Sequence, residues 1–369
     1  MRIVYDHQIV GSQEFGGASR YVYELATRMA ETHRQDVYVV SPLFANRYVK
    51  SRPESLKVIG VPIPRIPRTG RMVLALNSLV ARPMIRGLRP DVVHETYYSR
   101  RRVAPRAARA VVTVYDMIHE RFPEEFRAND PTRQLKAAAV ARADHVICIS
   151  EYTRRDLVEL VRVDPAKITV VYLGVALTSA RASATSIPTR PFLLFVGYRG
   201  GYKNFIGMLR AYAASPRLRQ TVDIVCFGGG TFSRAEMNLM RNLGVSDTHV
   251  RHQSGGDALL AAHYRAASAL VYPSLYEGFG IPPLEAMSCD CPVVCSNGGS
   301  IPEIVAEAGE LFDPREPESI AVAIERVVFD DFRRGQLVAH GRERIKHFSW
   351  ARCARETLDV YRRFQSQDT

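Results

Sequence analysis

Short runs rich in Val and Ile, each followed by a helix-patterned stretch, constrain this chain more than any other feature. RIVYD (Arg2–Asp6), DVYVVS (Asp36–Ser41), DVVHET (Asp91–Thr96), AVVTVYD (Ala110–Asp116), HVICIS (His145–Ser150) and ITVVYLG (Ile168–Gly174) read as buried strands. A strand with one wet face would alternate apolar and polar residues; near-continuous apolar runs mean that both faces are covered. The intervening segments carry helical spacing. Val22, Leu25, Ala26 and Met29 fall on one face, and Ser150 is placed to cap a helix running through Val161. Strands alternating with helices build a parallel, doubly wound sheet.

ALTSARASATSIPTRP (Ala176–Pro191) is small, polar and aperiodic, and reads as an interdomain linker. The strand pattern then restarts with FLLFVGY (Phe192–Tyr198), DIVCFGG (Asp223–Gly229), HVRHQS (His249–Ser254), ALVYPS (Ala269–Ser274) and PVVCSN (Pro292–Asn297). A chain of 369 residues exceeds one ordinary core. The expected fold is therefore α/β, with two Rossmann-like parallel-sheet domains facing a central cleft. Their bounds are expected at residues 1–176 and 192–348, with a linker over 177–191 and a closing helix over 349–369. In such sheets ligands bind beyond the carboxyl ends of the strands.

Composition narrows the classes. With 46% hydrophobic and 24% charged residues the chain is a folded globular protein, not a disordered one. The net charge of +12 admits nucleic acid, an anionic membrane surface or a phosphorylated substrate as partner. No nucleic-acid reader motif accompanies the charge, so nucleic acid is not expected. The six cysteines (Cys148, Cys226, Cys289, Cys291, Cys295, Cys353) form no CxxC pair. They are expected as reduced, buried thiols of a cytoplasmic protein, with no metal site. MRIVYDHQIV reads as a strand, not a signal peptide, and no run reaches the length of a membrane span.

Three strand-end loops carry candidate chemistry. In GYRGGYKNF (Gly197–Phe205), Arg199 and Lys203 flank two glycines just before a helix. Cations at a helix start oppose the dipole unless an anion joins them, so the loop suits a diphosphate, or is a solvated basic turn. In PSLYEGFGIPPLEAM (Pro273–Met287), Glu277 leaves a strand and enters Gly278-Phe279-Gly280, and Glu285 follows in the next helix. The glycines let backbone amides approach a ligand. The two carboxylates could accept hydrogen bonds from a sugar and a ribose. VYDMIHERFP (Val114–Pro123) offers Asp116, His119 and Glu120 after a strand of the first half.

These stretches resemble the retaining glycosyltransferases of family 4, with GT-B architecture, over nearly the whole chain. EGFGIPPLEA is similar to that family's E-x7-E motif; SNGGSIPEIV and FSWARCARETLDVYRRF are also typical of it. VTVYDMIHE, GYRGGYKNF and HETYY resemble a subgroup assigned to mannosyl transfer in surface polysaccharide assembly, including lipopolysaccharide. The resemblance implies an acceptor-binding first domain, a nucleotide-sugar-binding second domain, and a last helix, around Tyr361, that crosses back to the first. Gly16 and Gly17 would approach the donor diphosphate, and Arg199 and Lys203 would neutralise it. Glu277, with the amides of Gly278, Phe279 and Gly280, would hold the transferred sugar; Glu285 would hold the ribose and Ser254 would meet the base. Glu95 and Tyr97 would face the acceptor. Many relatives carry a His where this chain has Tyr115, so Asp116 and His119 are the candidates for that role.

The implied reaction transfers a sugar, with retained configuration, from a nucleoside diphosphate sugar to a glycan or lipid-linked acceptor. The expected donor is GDP-mannose, then a UDP-sugar. No cofactor is expected, and the lack of a D-x-D motif implies a metal-independent site. A sugar-nucleotide epimerase or a phosphorylase of the same architecture would share these loops. Eleven arginines (Arg65, Arg68, Arg71, Arg82, Arg86, Arg89, Arg100, Arg101, Arg102, Arg106, Arg109) surround the apolar MVLALNSLVARPMI (Met72–Ile85). This stretch reads either as peripheral contact with the anionic inner face of the cell membrane or as a solvated basic face over a core helix.

Overall fold

The computed structural model describes residues 1–65, 68–175, 187–245 and 248–364. Most of the linker expected over 177–191 lies outside the described residues. The chain forms two compact units. Met1–Gly174 and the C-terminal helix Trp350–Arg362 make the first, and Val175–Ser349 makes the second.

The first unit holds seven strands: β1 (Arg2–Tyr5), β2 (Asp36–Phe44), β3 (Lys57–Pro62), β4 (Val92–Glu95), β5 (Arg109–Val114), β6 (His145–Cys148) and β7 (Ile168–Val170). Their order is β3-β2-β1-β4-β5-β6-β7, and every pairing is parallel. The chain starts in the middle at β1, builds outward to β3, then returns beside β1 as β4. The loops leaving β1 and β4 therefore diverge at one point of the sheet edge. The second unit repeats the logic with β8 (Phe192–Val196), β9 (Asp223–Phe227), β10 (Val250–Gln253), β11 (Ala269–Tyr272), β12 (Val293–Ser296) and β13 (Gly309–Phe312). Its order is β10-β9-β8-β11-β12-β13, all parallel. Here the divergence falls between β8 and β11. Such switch points are where doubly wound sheets hold ligands.

Local sequence explains the elements. Tyr21, Val22, Leu25, Ala26 and Met29 form the buried face of helix Gly17–Glu31. Ser150 Oγ accepts the Thr153 amide at 3.0 Å and starts helix Glu151–Val161. The edge strands β3 and β13 escaped the pattern reading. β3 is only partly covered, and β13 places Glu310 inside a four-residue strand, where Arg326 and Arg333 pair with it.

The C-terminal helix is keyed into the first unit by polar groups. Tyr361 Oη lies 2.5 Å from His94 Nδ1 and 3.4 Å from Tyr5 Oη, and His94 Nε2 meets Thr113 Oγ1 at 2.8 Å. Burial lowers the His94 pKa to about 3, so the ring is neutral. At Gly174 a Cβ would stand 2.2 Å from the Trp350 amide nitrogen, so only glycine lets this helix start where it does.

Candidate active site

The loops leaving β8 and β11 are tied together at the switch point of the second unit. Leu275 N donates to Tyr202 O at 2.7 Å, and Asn204 Nδ2 donates to Pro273 O at 3.2 Å and Pro314 O at 2.7 Å. On this frame Lys203 Nζ lies 2.6 Å from Glu277 Oε1 and 3.4 Å from Tyr272 Oη. Glu277 is 8% exposed. Burial, then the neighbouring Glu277 carboxylate, pushes the Tyr272 phenol well above its usual pKa, so it stays protonated. Lys203 also stands 5.3 Å and 5.5 Å from the Tyr202 and Tyr272 ring centroids. The cation thus has a charged partner and two π-faces in a partly dry setting.

The loop after β12 fixes the other side. Ser300 Oγ donates to Glu277 O at 2.9 Å and Phe279 O at 2.7 Å. Gly299 has φ +61°, and a Cβ there would sit 2.6 Å from the Glu277 amide nitrogen. Gly280, at φ +125°, then opens helix Ile281–Ser288, whose early prolines need no amide partner. Phe279 is buried, 5.8 Å from Phe348 centroid to centroid. Glu285 is buried in the same helix and accepts Tyr264 Oη at 3.2 Å on Oε2. Gly278 belongs to this buried loop, whereas Ser254 is exposed just after β10, at the far edge of the sheet.

Arg199 is a correction. The expected guanidinium fork for a diphosphate is turned into its own unit. Nε donates to Glu236 Oε1 at 2.7 Å, Nη1 to Gly228 O at 3.1 Å, and Nη2 to Gly230 O at 2.9 Å and Thr231 O at 3.0 Å. The side chain is 3% exposed. Burial opposes the charge of Glu236, but Arg199 and the Ser233 donors outweigh it and hold its pKa below the usual value. Gly228, Gly229 and Gly230 all have positive φ, and Arg199 gathers three carbonyls of this turn. Arg199 therefore shapes the loop after β9, and Lys203 alone of the two cations stands beside Glu277. Each cation meets a carboxylate of its own chain, which answers the cost expected of cations at a helix start.

In the first unit the switch point between β1 and β4 is closed by Asp6. It accepts Thr96 N at 2.9 Å, Thr96 Oγ1 at 2.7 Å, Gln8 N at 3.3 Å and Gln8 Nε2 at 2.7 Å. Gly16, at φ +152°, precedes helix Gly17–Glu31, where Gln13 Oε1 accepts Ser19 N at 3.3 Å. Gly17 at the first helical position is exposed. Tyr115 donates its hydroxyl to Thr96 O at 3.0 Å, and its ring lies 6.4 Å from Tyr97. Asp116 and His119 stand beyond the carboxyl end of β5. Asp116 Oδ1 accepts Ile118 N at 3.0 Å, and His119 stacks on Phe126 at 3.8 Å. Burial lowers the His119 pKa.

Glu95 is a second correction. It is 2% exposed, takes Arg142 on Oε2 and accepts Val103 N at 2.8 Å. A carboxylate so enclosed braces the loop after β4 and does not face an acceptor. Tyr97, two positions on, is half-buried against Tyr98, 4.4 Å away.

Lys136 was missed. It is 1% exposed and donates to Asp116 O at 2.8 Å and Glu120 Oε2 at 2.7 Å, so it fixes the Asp116–Glu120 turn. The signal was present: Lys136 shares a helical face with Ala139 and Val140, where a lysine needs buried partners.

Two all-parallel, doubly wound units, with charged strand-end loops at a switch point, define the GT-B class of fold. Comparison with known proteins makes this specific. Residues 15–179 match the model of Glycosyltransferase Family 4, and residues 178–344 match that of Glycosyl transferases group 1. An O-antigen chain mannosyltransferase B of Escherichia coli is 30% identical over 271 residues, 70% of this chain and 71% of that protein. A D-inositol 3-phosphate glycosyltransferase of Kineococcus radiotolerans is 31% identical over 252 residues, 61% of this chain and 58% of that protein. A sucrose-phosphate synthase structure from Thermosynechococcus elongatus superposes with a TM-score of 0.79 at 21% identity, over 99% of each chain. The chain belongs to the glycosyltransferases of family 4.

Proposed function

We propose that this glycosyltransferase moves a hexosyl group, mannosyl first, from a nucleoside diphosphate sugar to a glycan or lipid-linked acceptor of polysaccharide assembly, with retained configuration. The observation that carries this reading is the Lys203–Glu277 pair, 2.6 Å across the switch point. A diphosphate arriving there competes with Glu277 for Lys203. The exchange places a cation on the leaving phosphate, where negative charge grows, and frees the carboxylate for a hydroxyl of the transferred sugar. Glu285 serves the ribose. The leaving phosphate takes the acceptor's proton, so no pair of glycosidase-type carboxylates is needed. The relation to an O-antigen mannosyltransferase supports mannose and a surface glycan. A lipid-linked acceptor would bring the protein to the inner face of a bilayer.

Metal is not required in this scheme, because Lys203 supplies the charge. Among the described residues no cluster of three or more His, Cys, Asp or Glu is placed to hold a metal ion. Thermal melting with GDP, UDP and ADP tests the donor: GDP is expected to raise the melting temperature most, since binding to the folded state alone stabilises it. If none of the three raises it, the reading fails. Transfer should continue in EDTA, and the product's anomeric coupling in NMR should match the donor's.

A further inference from the structure

The first unit carries an arginine-lined cavity on the edge of its sheet opposite its own switch point. Its volume is about 950 Å³, and Arg82, Arg86, Arg89, Arg102 and Arg106 line it. It lies where the chain enters β4 and β5, at their amino ends, because Arg89 to Asp91 lead into β4 and Val103 to Ala108 lead into β5. Arg102 is committed to this wall: it donates to Ala108 O at 2.8 Å, to Arg142 O at 3.1 Å and to Asp144 Oδ2 at 2.8 Å. Arg82, Arg86, Arg89 and Arg106 have no carboxylate at ion-pair distance among the described residues. The one acid in the lining, Asp91, accepts the Arg2 amide at 2.6 Å. Four cations without an ion pair, against a single acid in the lining, leave the concavity with excess positive charge that calls for an anion, and guanidinium groups fit phosphate oxygens best.

The helix that supplies Arg82 and Arg86, and that Arg89 ends, has a second feature. Gly70–Leu88 buries Asn77, Ala81 and Ile85 and turns Met72, Leu76, Leu79, Pro83 and Arg86 outward along one face. Met72 is 68% exposed, Leu76 45% and Leu79 74%. Its early part lies toward the strand carboxyl ends, where Ser78 Oγ meets His7 Nε2 at 3.1 Å. Its end reaches the arginine cavity. Arg68, exposed, precedes it. Among the described residues no helix is long and apolar enough to cross a membrane. An exposed apolar stripe with arginines beside it suits a helix lying in the headgroup region instead.

We propose that this face docks on an anionic bilayer, with Met72, Leu76 and Leu79 entering the interface and the arginine cavity taking a lipid headgroup phosphate. The inference deepens the lipid-linked acceptor reading by naming the surface and its chemistry, and its test does not depend on catalysis. The full chain is floated with neutral phosphatidylcholine vesicles and with vesicles containing phosphatidylglycerol, at low and high salt. Binding is expected only with the anionic lipid and to fall with salt. Arg86→Gln/Arg89→Gln/Arg106→Gln should weaken it on the order of a hundredfold, about fivefold for each arginine. Leu79→Ser should weaken it less. These residues are exposed, so both variants should keep the wild-type melting temperature and the wild-type response to nucleoside diphosphate. Equal binding to neutral vesicles overturns the proposal, as does anionic binding untouched by the arginine changes. A melting shift with inorganic pyrophosphate that the arginine variant loses, without any vesicle binding, makes the cavity a soluble-anion site and likewise overturns it. If vesicle binding behaves as expected but no nucleotide sugar turns over, the donor reading fails and this one stands.

Discussion

The two switch points are built on the same topology and filled in opposite ways. In the first unit a buried carboxylate, Asp6, is saturated by four neutral donors from Gln8 and Thr96. In the second, Glu277 meets a flexible cation, Lys203, from another loop. The first arrangement is closed: two backbone amides and two buried side-chain donors already fill the carboxylate, so a ligand gains nothing by displacing one. The second is an ion pair between side chains, and an incoming anion can take over half of it. Equal topology therefore does not mean equal function. What decides is whether the edge chemistry is already satisfied by groups that cannot move.

The comparison can be broken most readily at Lys203. Lys203→Ala should lower kcat/KM by about 100- to 1,000-fold, the scale for one preorganised electrostatic group. It should also lower stability by up to about 3 kcal/mol, because Glu277 is left buried without its partner. Adding Glu277→Gln should restore part of that stability; a double-mutant cycle by urea unfolding reads the coupling. If Lys203→Ala leaves kcat/KM intact, the pair is only structural and the contrast fails. Asp6→Ala should lower stability by about 3 kcal/mol, since donors to a charged acceptor lose it. Nucleoside diphosphate affinity by calorimetry should not change, because Asp6 belongs to the closed switch point. Glu277→Gln should lower kcat by about 10- to 100-fold, the worth of one hydrogen bond to a charged group. Nucleoside diphosphate affinity should hold or rise, because Lys203 is released to the phosphates.

A pH-dependent effect, absent from ligand binding, concerns His94, two positions before Thr96. Its folded pKa is about 3, below the ordinary 6.5. Between these values the unfolded chain binds a proton that the folded chain refuses. This contribution is therefore full above pH 6.5 and is lost as pH falls toward about 3, by up to about 1.4 kcal/mol per pH unit. His94→Asn should flatten the acid slope in urea unfolding at several pH values, while the response to nucleotide stays unchanged.

Sequence patterns reveal what repeats locally. Buried parallel strands announce themselves through Val and Ile, and Glu277 and Glu285 stand out because glycine and proline frame them. The partners of Arg199 are hidden for a different reason. Glu236 lies 37 positions away, and Ser233-x-x-Glu236 reads as a helix cap, which it also is. The same carboxylate does two jobs, and only the local one is written in spacing. Glu95 misleads similarly: its position at a strand end invites a ligand role, but Arg142, 47 positions on, has already claimed it. Strand-end residues can be located from sequence. Whether their charge is still available depends on long-range partners that only the fold brings near.

The C-terminal helix has a consequence for synthesis. The chain leaves the first unit at Gly174 and re-enters it at Trp350. Until Tyr361 has emerged from the ribosome, His94 and Tyr5 lack their hydroxyl partner and the Gly17–Glu31 helix lacks a neighbour. At roughly 5–20 residues per second, the wait lasts on the order of ten seconds or more. The part of the protein made first is thus the part finished last. During that interval the second unit can complete its own sheet while the first stays open along one seam. A chain stopped before Trp350 should retain a folded second unit beside a first unit that chaperones and proteases can still reach.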